Sequence, residues 1–205
     1  MSRGVLLLVW SLLSINAAAD APRARPVIDS TFGFNTIVTD QHTRLRGVSL
    51  SWDGGDPYGS QPKVIPTSAQ LQRLADTFGL NTIHVYLEGN ASQNPNPVGV
   101  NLADADALVS ATREAGLYVI LTIGCNGENG SIHSMDFARD FWSLYAPRYK
   151  DETHVIFEAH NEPALYTPSQ WTVQDWNRQV DLYHHIRDRA PESLILLGSF
   201  MGFAG

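Results

Sequence analysis

Five short apolar runs rich in β-branched residues recur along the chain: GVSLSW (47–52), NTIHVYL (81–87), LYVILTI (117–123), HVIFEAH (154–160) and LILLGS (194–199). With Val48, His84, Ile120, Ile156 and Leu196 as markers, the intervals are 36, 36, 36 and 40 residues. The runs are continuous rather than alternating, as strands covered on both faces are. An interval of this length holds one strand, one helix and two loops. A βα unit repeated with one sense of crossover gives a parallel sheet, either open and doubly wound or closed into a barrel. No Gly-x-Gly-x-x-Gly follows the first run, so the dinucleotide-binding form of the open sheet loses its best support.

Helices fill the intervals. Thr67 and Gln70 have the spacing of a capping box, Leu71, Leu74, Ala75 and Phe78 share one face, and Gly79 supplies a stop. A second helix is expected from Asn101 to Gly116. A third starts near Ser134, with Phe137, Phe141, Leu144 and Tyr145 on one face. The fourth is expected to start at Thr167 as cap, with Pro168 in its first turn and Gln170 completing a box. It would bury Val173, Trp176, Val180 and Tyr183, and Pro191 would close it.

The N-terminus reads differently. MSRGVLLLVWSLLSINAAADA has a basic start at Arg3, an apolar run from Val5 to Leu13 and small residues Ala17 to Ala19, the pattern of a signal peptide cleaved after residue 19. The run is shorter than the roughly 20 residues of a spanning helix, so a secreted or periplasmic protein with no remaining membrane anchor is expected. Residues 20–205 then form one domain, opened by a hairpin at about 27–46 around the turn Asp-Gln-His-Thr. Removing Arg3 leaves 13 bases of the 14 against 21 acids, a formal charge of −8, which disfavours nucleic acid as a partner. Cys125 is the only cysteine, so neither an internal disulfide nor a cysteine-built zinc site can form.

Residues with chemistry gather just beyond the strand ends: Trp52, Glu88, Asn126, Asn161 and Glu162. Both barrels and open α/β sheets place their sites on that face. The fourth run is the informative one. HVIFEAHNEP (154–163) puts Glu158, His160 and Glu162 on one side of a strand that Pro163 must end, because proline cannot continue the ladder. Glu162 is thereby held at the rim, where low dielectric raises a carboxyl pKa and suits it to general acid work. Asn161 beside it can exchange hydrogen bonds with a sugar hydroxyl.

On these residues the chain resembles glycoside hydrolase family 5, the cellulase-type retaining glycosidases built on a (β/α)8 TIM barrel. LRGVSLSW (45–52), GLNTIHVYL (79–87), GLYVILTIG (116–124) and VIFEAHNEP (155–163) resemble the family's first four strands in order. The resemblance covers about residues 30–200. It implies that Glu162 is the acid/base, that Asn161 contacts the substrate's 2-hydroxyl, and that the ligand is a β-linked polysaccharide or oligosaccharide. His84 stands where the family usually has an arginine, and Thr122, Ile123 and Gly124 stand where its third strand usually ends in Asp-x-His. The family's nucleophilic glutamate belongs to a seventh strand, whereas the chain supplies five strands and stops at Gly205. The expectation is therefore a barrel truncated after strand five, lacking the nucleophile, with little activity alone and open edges that favour self-association.

His84 and His160 fit either substrate contacts or satisfied interior histidines, Trp52 fits either a sugar-stacking ring or rim packing, and Asn126 is expected to face the sugar. Glu158 is expected in a hydrogen-bonded interior layer, and Glu88 and Glu128 as solvated loop carboxylates. Trp142, Trp171 and Trp176 are assigned to helix packing, and Cys125 to a loop. No cofactor or metal is expected. The competing function is a non-catalytic carbohydrate-binding protein on the same scaffold.

Overall fold

The structure, a computed structural model, describes residues 23–31, 33–50, 65–87, 102–123, 135–161 and 172–198. A two-stranded antiparallel hairpin comes first, β1 (Val27–Asp29) with β2 (Thr36–Val38), Ile28 facing Ile37. A further bridge from Val38 to Arg44 closes the turn in which His42 takes a positive φ of 52°. Then β3 (Gly47–Ser49), α1 (Ser68–Phe78), β4 (Thr82–Tyr86), α2 (Leu102–Glu114), β5 (Tyr118–Thr122), α3 (Met135–Tyr149), β6 (Val155–Glu158), α4 (Val173–Arg187) and β7 (Ile195–Leu196) alternate.

The five strands form one sheet in the order β3-β4-β5-β6-β7, every pair parallel. This strictly sequential order is that of a βα barrel wall; a doubly wound sheet reverses its order at a switch point. The 36-residue interval survives as register, His84 opposite Ile120 and Ile120 opposite Ile156. It slips at both ends, where Ser49 rather than Val48 faces His84, and Leu196 faces Glu158. Among the described residues β3 and β7 are each paired on one side only.

The core lies between sheet and helices. Ile83, Val85 and Leu87, Val119, Leu121 and Ile123, and Val155, Phe157 and Ala159 point outward into it. Leu71, Leu108, Phe141, Trp142, Leu182 and Ile186 meet them from the four helices. Local chemistry starts α1 and α4. At α1 Thr67 accepts from the Gln70 N–H while Gln70 accepts from the Thr67 N–H, and Gly79 ends the helix at φ 65°.

The fourth helix corrects the sequence reading. It starts at Val173, with Thr172 as cap and Asp175 returning the bond, and residues 167–170 lie outside those described. Its buried face is Gln179, Leu182 and Ile186, whereas Val173 and Trp176 are exposed. Gln179 tolerates burial because its amide donates to the Gly198 carbonyl at 2.9 Å.

At the N-terminal end of the sheet, Arg23 lies over the Tyr118 ring and the Tyr118 hydroxyl donates to the Ala24 carbonyl. This segment ties the chain start across that end of the strands, leaving the C-terminal ends for chemistry. No helix among the described residues is long and apolar enough to cross a membrane.

Candidate active site

The sheet's rim is built most firmly where β6 runs out. The Ala159 N–H donates to the Leu196 carbonyl at 3.0 Å, and the Ala159 carbonyl accepts from the Trp142 indole at 2.9 Å. The Asn161 N–H donates to the Ile123 carbonyl at 2.9 Å. The Asn161 carbonyl lies 2.8 Å from His160 Nδ1, and since a carbonyl only accepts, Nδ1 carries the proton. Both polar backbone groups of Ala159 and both of Asn161 are thus engaged. Backbone bonding to the neighbouring chain segments extends past the last regular residue of β6, one residue out of register where Asn161 meets Ile123, and the backbone is anchored at both polar groups of Asn161.

Below the rim the concave face carries a second polar group of residues. His84 Nε2 lies 2.6 Å from Glu158 Oε2, and His84 Nδ1 lies 3.1 Å from Ser49 Oγ. The carboxylate accepts, so Nε2 holds the proton, while Nδ1 shares a hydrogen bond with the serine hydroxyl, which can serve as donor or acceptor. The Tyr86 ring meets the imidazole edge-on at 5.2 Å.

Barrel geometry explains why His84 finds Glu158. Strand tilt shifts each layer of inward side chains by one residue per strand, and alternate strands fill one layer. In register His84 faces Ile120 and then Ile156, so two strands on, the residue level with it is Glu158. The side chains are 21% and 15% exposed, so the pair is substantially but not wholly withdrawn from water. Of the two roles open to His84, the geometry meets that of a satisfied interior histidine, both nitrogens being bonded.

Serine, histidine and glutamate in this connectivity resemble an activated nucleophile. The peptide N–H after such a serine would help bind an oxyanion, as in hydrolase elbows. Here the Leu50 N–H instead donates to the His84 carbonyl at 2.9 Å, within the β-ladder. The trio is a hydrogen-bonded layer of the barrel. The adjacent hollow, about 240 Å³ and lined by Gly47, Ser49, Thr82, His84 and Ile120, is smaller than small-molecule sites of roughly 300–1,000 Å³.

Of the residues expected to meet substrate, Asn161 and His84 are described. Glu162, Trp52 and Asn126 lie outside the described residues, as do Glu88, Glu128, Cys125 and Trp171. Glu158 occupies the interior layer expected of it. Trp142 packs edge-on against Phe157 at 5.3 Å, but its indole N–H also holds the root of the rim, a role not anticipated. Ser49 was not anticipated either. No group of three His, Cys, Asp or Glu side chains among the described residues could hold a metal ion.

A sequential parallel sheet with helices on its outer face and a hydrogen-bonded polar layer on its concave face has the architecture of a βα-barrel wall. The chain belongs to the cellulase family, glycosyl hydrolase family 5, whose family model matches residues 36–202. Solved structures agree on the fold. The catalytic domain of Thermobifida fusca endoglucanase Cel5A is 20% identical with a TM-score of 0.58, over 80% of this chain and 51% of that one. Pseudomonas stutzeri endoglucanase Cel5A is 22% identical with a TM-score of 0.58, over 78% and 53%. A thermostable, halotolerant cellulase of the same family from an Icelandic hot spring isolate is 19% identical with a TM-score of 0.61, over 86% and 54%. The chain therefore spans about half the length of these structures. The Thermobifida domain has also been captured with cellotetraose. A comparison with curated proteins finds no match.

Proposed function

We propose that this chain forms the acid/base half of an exported glycosidase that cleaves β-linked glycans by a retaining double displacement. Glu162 protonates the leaving oxygen and then activates water, and the amide of Asn161 holds the sugar beside it. Trp52 and Asn126 contribute sugar contacts from neighbouring strand ends. The observation that carries the reading is the anchoring of Asn161. Its N–H donates to the Ile123 carbonyl and its carbonyl is held by His160, so the next residue starts from a fixed point on the rim. Precise placement matters, because a general acid must lie within hydrogen-bond reach of the oxygen it protonates.

Retention requires a second carboxylate about 5 Å from the first. Glu158 does not serve, since its Oε2 is engaged by His84 in the layer below. In this reading the nucleophile comes from barrel strands outside these 205 residues. The N-terminal 19 residues act as an export signal. The family's cello-oligosaccharide chemistry makes cellotetraose the first ligand to test.

The experiment expresses the chain together with the coding sequence downstream of Gly205 and assays hydrolysis of barley β-glucan with anomeric configuration followed by NMR. Retained configuration is expected, with a loss of about 10²–10⁴ in kcat for Glu162→Gln. Dinitrophenyl glycosides, whose leaving group needs no proton, should lose much less in the glycosylation step. Inverted configuration, or turnover indifferent to Glu162→Gln, refutes the assignment. Vigorous hydrolysis by the 205-residue chain alone would refute the placement of the nucleophile.

A further inference from the structure

We infer that His160 is a positioning residue for the rim carboxylate, acting through the peptide bond that joins Asn161 to Glu162. The inference rests on the acid/base role given to Glu162 above. His160 is 1% exposed and lies on the strand side shared with Glu158. Its Nδ1–H donates to the Asn161 carbonyl at 2.8 Å. That oxygen belongs to the same rigid plane as the Glu162 nitrogen, so the bond fixes the orientation of the plane from which Glu162 departs.

The three other bonds at this root do different work. Ala159 N–H to Leu196 is a ladder bond, which any parallel strand forms irrespective of its side chains, and Asn161 N–H to Ile123 is a backbone bond to β5 one residue out of the β5–β6 register. The Trp142 indole holds Ala159, two residues further back. Among the described residues, the His160 bond is the side-chain contact to the last peptide before the carboxylate. Pro163 has no N–H with which to extend a ladder, so a side-chain bond to the Asn161 carbonyl is well placed to hold the Asn161–Glu162 plane. An error of about 1 Å at a reacting group can cost on the order of 10²-fold in rate. A buried side chain that fixes this plane therefore acts on kcat.

Three substitutions separate positioning from packing. His160→Phe keeps the ring and removes the donor. His160→Asn places an amide N–H where Nδ1 was, whereas His160→Gln places it where Nε2 was. Amide hydrogen exchange of the 205-residue protein is the first readout. In His160→Phe the Glu162 amide, which shares the peptide plane that the His160 bond holds, is expected to exchange about tenfold faster, the size of one lost hydrogen bond, with Phe157 and Ala159 unchanged. His160→Asn should restore protection and His160→Gln should not. The second readout is cello-oligosaccharide hydrolysis by the protein with its frame continued. There His160→Phe should lower kcat by about 10- to 100-fold with KM within about twofold, and His160→Asn should recover most of it.

Equal acceleration of the Phe157, Ala159 and Glu162 amides, or an asparagine variant no better than the glutamine one, would mean that His160 only packs. That result overturns the inference. If instead Glu162→Gln leaves turnover intact, the acid/base assignment fails, while the exchange data still decide whether His160 holds the peptide.

Discussion

Replacing Glu158 by alanine should destabilise the protein by about 2 kcal/mol, and most of that cost should vanish when His84 is already alanine. The magnitude follows from two opposed effects. A short hydrogen bond to a charged group contributes about 1.5–3 kcal/mol, and stranding one buried partner costs 3–5 kcal/mol when water is excluded altogether. At 21% and 15% exposure, water recovers part of the loss for the orphaned imidazole, so the smaller range governs. The test is a double-mutant cycle over wild type, Glu158→Ala, His84→Ala and the double variant, by urea denaturation with shared m-values. A coupling of about 1–2 kcal/mol is expected, and a chain of this size should lose about 4–8 °C in Tm for Glu158→Ala. Coupling below about 0.5 kcal/mol would refute a layer held by this pair, because independent sites add within that margin. Glu158→Gln makes the complementary point: it keeps an acceptor and the shape, so it should fall between wild type and alanine.

Other consequences are open to measurement. Thr67→Ala removes one half of the α1 capping box and should cost about 1 kcal/mol by chemical denaturation, with Thr67→Asp close to neutral. His154 is buried beneath β6, where desolvation holds its pKa below the ordinary histidine value against the Val109 carbonyl that accepts from Nε2 at 3.0 Å. The unfolded chain then takes up a proton before the folded one does, so stability should fall as pH drops below about 6.5 and level off once the folded pKa is passed. His154→Gln keeps an N–H near the position of Nε2 and should flatten that slope in a pH series of denaturation midpoints. Asp106 is held below the usual carboxylate range, first by its hydrogen bonds from Arg148 and also by one from the Tyr149 hydroxyl. Its contribution is present at neutral pH and is lost as pH falls through its lowered pKa. Since the ion pair is 38% and 43% exposed, Asp106→Asn should cost no more than about 1 kcal/mol at pH 7 and less in high salt.

Local features were legible in the sequence, and features that depend on three-dimensional stagger were not. The box at Thr67 and the stop at Gly79 need only a few neighbouring residues, and both appear as expected. The fourth helix offered two boxes of the same form, Thr167 with Gln170 and Thr172 with Asp175, and spacing alone gave no reason to prefer the later. Its inward face was misassigned because Gln179 reads as a surface residue until the Gly198 carbonyl is there to receive its amide, while an exposed tryptophan reads as core. The His84–Glu158 contact was implicit in the 36-residue interval. It emerges only when that interval is joined to a one-residue shift per strand, which moves the partner of His84 from Ile156 to Glu158. The indole bond from Trp142 leaves no trace in a hydrophobic pattern, since the tryptophan also packs as any core residue does.

The same stagger bears on the arginine usual at the position of His84. Asn161 lies three residues beyond Glu158, about 10 Å along the strand and about 8 Å along a barrel axis tilted by roughly 36°. An imidazole engaged at Nε2 by Glu158 and at Nδ1 by Ser49 has no free nitrogen to send up that distance, whereas a guanidinium carries five donors on a longer stem. His84 therefore influences the rim through the layer it completes. His84→Arg should keep a charged hydrogen bond to Glu158 and cost less stability than His84→Ala in the same denaturation assay. A variant as damaging as alanine would show that the layer is fitted to the shape of an imidazole and not to its hydrogen bond.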